Sequence, residues 1–175
     1  MGRFLPLLAA LALPAILAAL GVALPRPFLL LNTSPSEPVG LYVRAGDTPR
    51  VGSLAAFHTP PRGAAYARSH LPELIRGSIL KRVVAGPGEG VCVRDGQAWH
   101  DGRRLGPVYA RDARGDRLPQ WSGCRRLGPA EYFVFSGRIW NSFDSRYYGP
   151  VSANGIIGTY APIWVEATSA AGGRS

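Results

Sequence analysis

The N-terminal segment constrains the fold more than any other part of the chain, because it carries no charge over 21 residues. After Arg3 the sequence reads FLPLLAALALPAILAALGVAL from Phe4 to Leu24. As a helix this run would rise about 32 Å, enough to cross a bilayer core of about 30 Å. The segment therefore predicts an N-terminal membrane-spanning helix, residues 1–24, that anchors a separate domain.

A cleaved signal peptide is the alternative interpretation of the same segment. Arg3 would then form the basic n-region, and Gly21-Val22-Ala23 would supply a small-x-small cleavage site. We favour the anchor because the nonpolar run is long and resumes at Phe28–Leu31. In both interpretations residues 25–166 form an exported domain, and the Ala/Gly/Ser-rich residues 167–175 form a frayed tail.

Glycine and proline are abundant, with 22 and 16 residues in a chain of 175. These counts suit short strands joined by tight turns and argue against a helical bundle. We therefore predict an all-β fold with minor helix, the helix lying on the surface within Gly63–Leu74. The predicted strands are Val39–Arg44, Ser53–His58, Gly77–Ala85, a strand containing Cys92, a hairpin at Gln97–Asp101, Glu131–Phe135 and Ile156–Val165.

Cys92 and Cys124 are the only cysteines, and both follow the apolar segment. In an exported domain, a pair without His or Cys neighbours at ligand spacing predicts a disulfide rather than a metal site. Two buried free thiols are the alternative. The histidines are scattered and form no ligand motif, so we expect neither a metal nor a cofactor; they are His58, His70 and His100.

Lys81 is the only lysine among 20 basic residues, so arginine occupies every other basic position. A lysine can act as a general base when burial lowers its pKa, whereas a guanidinium stays protonated in proteins. The neighbours that offer such an apolar setting are Ile79, Leu80, Val83 and Val84. The alternative is a chance position, with the charge in solvent at the end of a strand.

A serine-containing segment follows the apolar run and reads NTSPSEPVGLY from Asn32 to Tyr42. It opens directly into a predicted strand, and Pro35 and Pro38 stiffen the backbone around Ser36. A stiff backbone would help to hold a nucleophilic hydroxyl in one pose, and a base must take its proton. A Pro/Ser linker between the membrane and the domain is the alternative.

A third cluster reads SFDSRYYGPV from Ser142 to Val151. In the functional interpretation, Asp144 and Arg146 form an ion pair that braces a site, and the Ser142 hydroxyl orients the lysine amine. The alternative is an ordinary turn in which Asp144 accepts hydrogen bonds from nearby backbone N–H groups.

Taken in order, these three segments resemble the type I signal peptidase family, and most closely its TraF conjugative-transfer branch. A weaker fourth match is Leu127–Val134, which resembles the strand before the last motif. The three motifs are S-x-S-x-P-x-G-L-Y at Ser34–Tyr42, L-K-R-V-V-A-x-P-G-[DE] at Leu80–Glu89 and S-x-D-S-R-x-x-G-x-V at Ser142–Val151. Together they extend over nearly all of the predicted exported domain.

The resemblance implies a serine-type endopeptidase in which Ser36 is the nucleophile and Lys81 is its general base. The Ser34 hydroxyl would join the Ser36 N–H in an oxyanion hole. Ser142 would orient the Lys81 amine. The residues implied to support the site are Asp144 and Arg146.

The chain departs from the general signal peptidase pattern at two places. Glu37 stands where those enzymes have a methionine, which is expected to put an acid near the substrate groove. Phe135–Arg138 stands in place of a longer Gly-Asp-Asn-Arg stretch. Both departures bear on substrate preference more than on the chemistry.

The function implied by the resemblance is the processing of signal peptides or pilin precursors for conjugative transfer, by cleavage or by cyclisation. Small residues would be preferred at the first and third positions before the cut. The implied partners are a protein substrate and the lipid bilayer. The implied location is the bacterial inner membrane, with the catalytic domain on the periplasmic side.

Two other classes of function compete with this interpretation. A binding module for anionic lipid or DNA would use the seven arginines between Arg103 and Arg126. We favour a solvated surface and expect no nucleic-acid partner, because an exported domain meets little DNA. The second class is a non-catalytic, disulfide-stapled structural subunit of a secretion or conjugation apparatus; the intact pair of Ser36 and Lys81 argues against it.

Overall fold

The computed structural model describes residues 26–166 of the chain. The predicted membrane anchor and the predicted C-terminal tail lie outside these residues and stay predictions. Within residues 26–166, no helix is both long enough and apolar enough to span a bilayer.

The described part of the chain is mostly β-structure with a few short helices, as the composition predicts. The helices are α1 at Pro61–His70, α2 at Pro72–Arg76 and α3 at Ser145–Tyr148, and a 3₁₀ turn covers Ala153–Gly155. The strands are β1 Leu29–Asn32, β2 Gly40–Gly46, β3 Leu54–Phe57, β4 Ile79–Ala85, β5 Gly90–Arg94, β6 Gln97–His100, β7 Arg103–Pro107, β8 Gly123–Arg126, β9 Glu131–Phe135, β10 Val151–Ser152 and β11 Ile156–Val165.

The strands form two antiparallel sheets. The larger sheet has seven strands in the order β1-β2-β11-β3-β4-β9-β10, and the smaller has four in the order β7-β6-β5-β8. The smaller sheet is an insertion, because β4 pairs directly with β9 although β5 to β8 lie between them in the chain. Strand β4, which carries Lys81, is therefore held on both sides, by β3 and by β9.

The main core lies on one face of the large sheet, where α1 and α3 pack. Its fully buried side chains include Phe57, Val83, Val134 and Tyr147. A second core includes Val91 and Val93 of the small sheet, together with Trp121 and Phe133. Because one face of β4 packs in the main core, the direction in which each of its side chains points is fixed: successive side chains point alternately to the two faces of the sheet.

The predicted surface helix forms as two helices rather than one. Leu71 has φ −138° and ψ 56°, outside the helical region. The residue before a proline is disfavoured in helical conformation, so α1 ends before Leu71 and α2 begins at Pro72. Helix α1 also begins earlier than predicted, at Pro61, because proline is well accepted in the first turn of a helix.

Several strands lie in segments that the sequence analysis does not predict as strands. Strand β1 lies in the apolar continuation at Phe28–Leu31, where strand and anchor share the same composition. Strand β8 lies in the arginine-rich stretch, and all four of its residues are exposed. An edge strand of this kind has no hydrophobic alternation by which the sequence could mark it.

Cys92 on β5 lies opposite Cys124 on β8, with 4.0 Å between their Cα atoms. The structure joins the two sulfurs as a disulfide, which favours the predicted bridge over two free thiols. The bridge lies on the outer face of the small sheet, because the neighbours Val91 and Val93 point into the core. It therefore fastens the exposed edge strand β8 to the sheet.

We expect thiol labelling of the purified, denatured and unreduced protein to modify neither cysteine. The double variant Cys92→Ala, Cys124→Ala should still fold but lose stability, by about 3–4 kcal/mol for a loop of 32 residues. The measurement is the urea midpoint of the variant against the oxidised protein, with the reduced protein as control. Two labelled thiols in the unreduced protein would contradict the bridge.

Candidate active site

A seven-residue segment, which we call the serine turn (residues 33–39), connects β1 to β2 and carries Ser36. The buried amide of Asn32 holds this turn. Its Nδ2 donates to the carbonyls of Ser34 at 2.9 Å, Glu37 at 3.1 Å and Pro38 at 2.9 Å. Its Oδ1 accepts the Ser34 N–H at 3.2 Å. The last residue of β1 therefore closes the turn around the nucleophile candidate.

Gly40 follows the serine turn as the first residue of β2, at a point where β11 passes close by. Its φ is +153°, and a Cβ at this position would lie 2.2 Å from the carbonyl oxygen of Trp164. Only glycine fits here without a shift of the backbone. The glycine of the first sequence motif is thus explained by the contact between β2 and β11.

Lys81 and Ser36 meet inside the protein. The Lys81 Nζ donates a hydrogen bond to Ser36 Oγ, and the two residues are only 4% and 2% exposed. Lys81 points inward because it alternates along β4 with Arg82, which is exposed. The sequence places these residues 45 positions apart, and the pairing of β4 with its neighbours brings them together.

The pKa of the Lys81 amine is lowered from 10.5 to about 8, chiefly by burial. The carboxylates of Asp144 and Glu37 act against burial and raise this pKa, and Arg146 adds to the lowering. With a pKa of about 8, roughly a tenth of the molecules carry a neutral amine at pH 7. The site therefore supplies the deprotonated lysine that a general base requires.

Ser34 lies beside the Ser36 hydroxyl. The two Oγ atoms are 2.9 Å apart, and the Ser36 N–H donates to Ser34 Oγ at 3.4 Å. The two groups expected to form an oxyanion hole therefore lie together next to the nucleophile candidate, and in this structure they bond each other.

Asp144 and Arg146 form a buried ion pair at the start of α3. Asp144 Oδ1 accepts from Arg146 Nε at 2.8 Å, and Oδ2 accepts from Nη2 at 3.0 Å. The guanidinium also donates to the carbonyl of Pro107 through Nη1 at 2.8 Å and to that of Ser142 through Nη2 at 3.0 Å. These bonds link α3 to the loop before it and to the end of β7, so the pair is a rigid brace.

Ser142 lies near the lysine without contacting it. Both line one cavity, but the buried Ser142 Oγ makes no hydrogen bond to any group within residues 26–166. The expected hydrogen bond from Ser142 to the Lys81 amine is therefore not present in this structure, and the orienting role of Ser142 stays a prediction. Instead, Ser142 contributes its carbonyl to the Arg146 guanidinium.

The cavity beside Ser36 is a groove of about 630 Å³. It is lined by residues 30–36, by residues 77–81, and by Ile139, Asn141, Ser142 and Phe143. Part of each long side belongs to a strand, β1 on one side and β4 on the other, so the groove suits an extended peptide.

Comparison with known proteins gives a consistent family assignment. The model of the family "Signal peptidase, peptidase S26" matches residues 1–165. The chain belongs to this family. It is 31% identical to "Plasmid transfer protein TraF" of Escherichia coli, over 76% of this chain and 81% of that protein. It is 30% identical to "Conjugal transfer protein TraF" of Agrobacterium tumefaciens, over 77% and 81%.

A further relative is "Probable signal peptidase I-1" of Synechocystis, 29% identical over 83% of this chain and 77% of that protein. The resemblance to a TraF-type signal peptidase is thus confirmed. Family membership, together with this signal peptidase relative, supports a serine peptidase-like function, and the TraF relatives fit a role in conjugation.

The fold also brings residues to the candidate active site that the sequence analysis does not single out. Ser136 Oγ donates to the Ser36 carbonyl, and the Ser136 N–H donates to Asp144 Oδ2 at 3.3 Å. Asn32 is the other such residue. Neither could be found from periodicity, because each acts through a contact made by folding.

Glu37 directly follows a residue that lines the groove but is not itself part of the groove lining. It is 2% exposed, whereas its neighbour Ser36 lines the groove. The expectation of an acid near the substrate groove stays a prediction. Glu37 Oε1 accepts the backbone N–H of Arg82 at 3.2 Å. Burial raises the pKa of the Glu37 carboxyl, against the opposing charges of Arg82, Lys81 and Arg138.

Two of the scattered histidines lie close to pairs of acids in the structure. His70 is near Asp112 and Asp116, and His100 is near Glu89 and Asp101. In each group acids already accept hydrogen bonds from the protein, as Asp112 does from Tyr66 at 2.7 Å. These internal bonds account for the two clusters, and we assign neither of them a metal.

Because Lys81 is the only lysine, a chain labelled with [¹³Cε]lysine gives one side-chain signal. We expect this signal to titrate near pH 8 in the folded protein and near 10.5 in denaturant. The measurement is an NMR titration of the full chain in detergent micelles. A folded-state midpoint equal to the denatured one would show that the amine is solvated rather than buried.

Proposed function

We propose that this protein is a serine endopeptidase with a Ser36/Lys81 dyad, which cleaves signal peptides or pilin precursors in conjugative transfer. The observation that supports this most is the hydrogen bond between the buried amine of the only lysine and the Ser36 hydroxyl. A surface or structural cation would be served by arginine, which the chain uses at every other basic position.

The proposed reaction is acyl transfer. A neutral Lys81 amine accepts the Ser36 proton across their existing contact, and Ser36 Oγ attacks the scissile carbonyl carbon. The Ser36 N–H and the Ser34 hydroxyl then donate to the developing oxyanion instead of bonding each other. Each donor stabilises the transition state by about 3 kcal/mol. The resulting ammonium protonates the leaving amine, and the peptide C–N bond breaks.

Deacylation completes the cycle. The same amine, neutral again, takes a proton from water as the water oxygen attacks the acyl carbon. The bond from this carbon to Ser36 Oγ then breaks, and the Lys81 ammonium returns its proton to Ser36 Oγ. An amine at the substrate's own terminus could replace water and would give a cyclic product. The mass of the product separates these outcomes, because the cyclic chain is lighter than the hydrolysed chain by one water.

The proposed substrate is an extended segment in the groove beside Ser36. Within the described residues β1 is an edge strand of the large sheet and lines the groove, so its backbone offers hydrogen bonds to an extended peptide, as in strand addition. The substrate side chains at the first and third positions before the cut would face the wall of the groove, and small ones would be preferred there. This preference comes from the family resemblance.

The proposed location is the bacterial inner membrane, with the catalytic domain on the periplasmic side. An exposed nonpolar surface supports it: Leu31 on β1 lies across from Leu41 on β2, which lies across from Trp164 on β11. Leu31 and Trp164 are 67% and 60% exposed, and Phe28, Leu29 and Ile163 extend the patch. Such a patch, next to the predicted anchor, suits contact with the lipid surface.

We expect Lys81→Arg to fold and form its disulfide but to process precursor no better than Ser36→Ala, because a guanidinium does not lose its proton. The assay is cleavage of a membrane-inserted precursor at matched expression. Arg94→Lys, at an exposed position of β5, is the control for exchange of the two cations and should keep full activity.

The combined variant Lys81→Arg, Arg94→Lys restores the composition of the chain with its one lysine misplaced, and it should be inactive. Activity of Lys81→Arg above a few per cent of wild type would show that Lys81 is not the base.

Wild-type activity should rise with pH through an apparent pKa of about 8, which is that of the buried Lys81 amine. Below this value the amine is protonated and cannot accept the Ser36 proton; above it the neutral form predominates. The measurement is kcat/KM on a precursor peptide between pH 5.5 and pH 10. A limb near 6.5, typical of an imidazole, would point to histidine rather than lysine.

A further inference from the structure

Glu37 is a buried acid directly after the nucleophile candidate, and the mechanism above does not use it. It is 2% exposed and does not line the groove. A carboxyl group this deeply buried is costly unless it is bonded or paired. The inference below rests on the proposed function, since it assigns Glu37 a role toward the Ser36/Lys81 pair.

The carboxylate ties the serine turn to the large sheet at the end of β9. The Val83 N–H donates to the Ser53 carbonyl, on the β3 side of β4, so the Arg82 N–H points to the β9 side. There Arg82 lies opposite Phe135, the last residue of β9. Glu37 Oε1 accepts this N–H at 3.2 Å. The residue after the nucleophile is thereby tied to the residue after the base.

Glu37 differs from the other buried carboxyl group at the site in having no cationic hydrogen-bond partner within residues 26–166. Four acidic or basic side chains are buried within the described residues: Glu37, Lys81, Asp144 and Arg146. Asp144 and Arg146 satisfy each other through two hydrogen bonds. Glu37 instead uses one oxygen on a backbone N–H, and it is the second carboxylate, after Asp144, that acts on the Lys81 amine.

The other charged or titratable groups that act on this pair are few. Arg82 and Arg138 favour ionised Glu37, and Tyr42 is coupled to it from β2. Asp144 and Arg146 act on Lys81 from α3, with opposite signs. Asp144 raises the Lys81 pKa more than Glu37 does, and Arg146 lowers it less than either raises it, so removing the Glu37 charge is expected to lower this pKa while Asp144 still favours the ammonium.

We propose that Glu37 is a positioning residue, which fixes the serine turn against β4 and keeps a negative charge beside the ammonium that Lys81 becomes during acylation.

In that step the proton leaves Ser36 Oγ for Lys81 Nζ while the bond from Oγ to the substrate carbon forms. The carbonyl electron pair moves to oxygen as the oxyanion, and the amine becomes an ammonium. Glu37 gains and loses no proton; it stays an anion throughout. Its charge favours the ammonium, which strengthens Lys81 as a base and also raises its pKa in the resting enzyme.

Glu37→Gln tests the charge alone, because the glutamine oxygen still accepts the Arg82 N–H. Without the charge the Lys81 pKa falls, so the acid limb of kcat/KM should move to lower pH by about one unit, the lower end of a nearby charge's effect. A base weakened by one unit transfers a proton more slowly, so the plateau should fall roughly three-fold. KM should not change, because Glu37 lies outside the groove.

The [¹³Cε]lysine signal of the full chain in detergent gives a readout that needs no activity. Its midpoint should move down with the acid limb in Glu37→Gln. Asp47→Asn is the matched control: it removes one negative charge beyond the far end of β2, at a side chain that is 64% exposed, and should leave both midpoints unchanged. If Glu37→Gln does not fold, Glu37→Met replaces it, since methionine adapts to a buried site without a charge.

A lower plateau with an unmoved acid limb, or an unmoved lysine midpoint, would overturn the proposal and leave Glu37 a structural residue only. A failure of the proposed function looks different. In that case Lys81→Arg keeps its activity, whatever Glu37 does to the lysine signal.

Discussion

The contact between the Lys81 amine and the Ser36 hydroxyl depends on keeping an amine out of water. Burial lowers the pKa of Lys81 to about 8, and the same burial would destabilise the fold if the ammonium had no partners. The site resolves this conflict with neighbouring charges rather than with solvent. Asp144 and Glu37 raise the pKa of the amine and Arg146 lowers it, so that the pKa stays close to neutral pH.

The geometry of this contact is set from the ends of strands. Asn32 at the end of β1 holds the serine turn through three carbonyls. Ser136, just past the end of β9, links the Ser36 carbonyl to Asp144. The nucleophile candidate lies on a turn, and buried hydrogen bonds connect this turn to two strands and to the start of α3. These bonds fix the position of the turn as firmly as strand pairing fixes a residue within a sheet.

The buried ion pair of Asp144 and Arg146 serves this arrangement at a distance. It makes no contact with the Ser36 hydroxyl, but it fixes Ser136 and the backbone of Ser142, and the guanidinium lies 4.9 Å from the centre of the Phe135 ring. Removing one partner would leave an unpaired buried charge, which typically costs 3–5 kcal/mol. The pair is therefore expected to matter for folding as well as for the site.

Much of this protein could be predicted from local pattern. Glycine and proline content predicts short strands, the β-branched run around Lys81 predicts a buried strand, and a single lysine among arginines marks the candidate base. These features are local, because a strand's alternation and a residue's chemistry are readable without knowing what packs against them. The order of the three motifs indicated the family. The family resemblance in turn implied the role of Ser34 and supported the ion pair of Asp144 and Arg146.

Contacts between distant segments were decided only by the tertiary structure. The position of Glu37 beside Ser36 suggests an acid near the groove, yet the side chain is buried and accepts the Arg82 N–H at the end of β9. Ser136 reaches Ser36 across 100 positions, and Ser142 makes no bond to Lys81 although motif order suggests one. Register and strand length set such contacts, and a sequence specifies them only through the packing of the whole sheet.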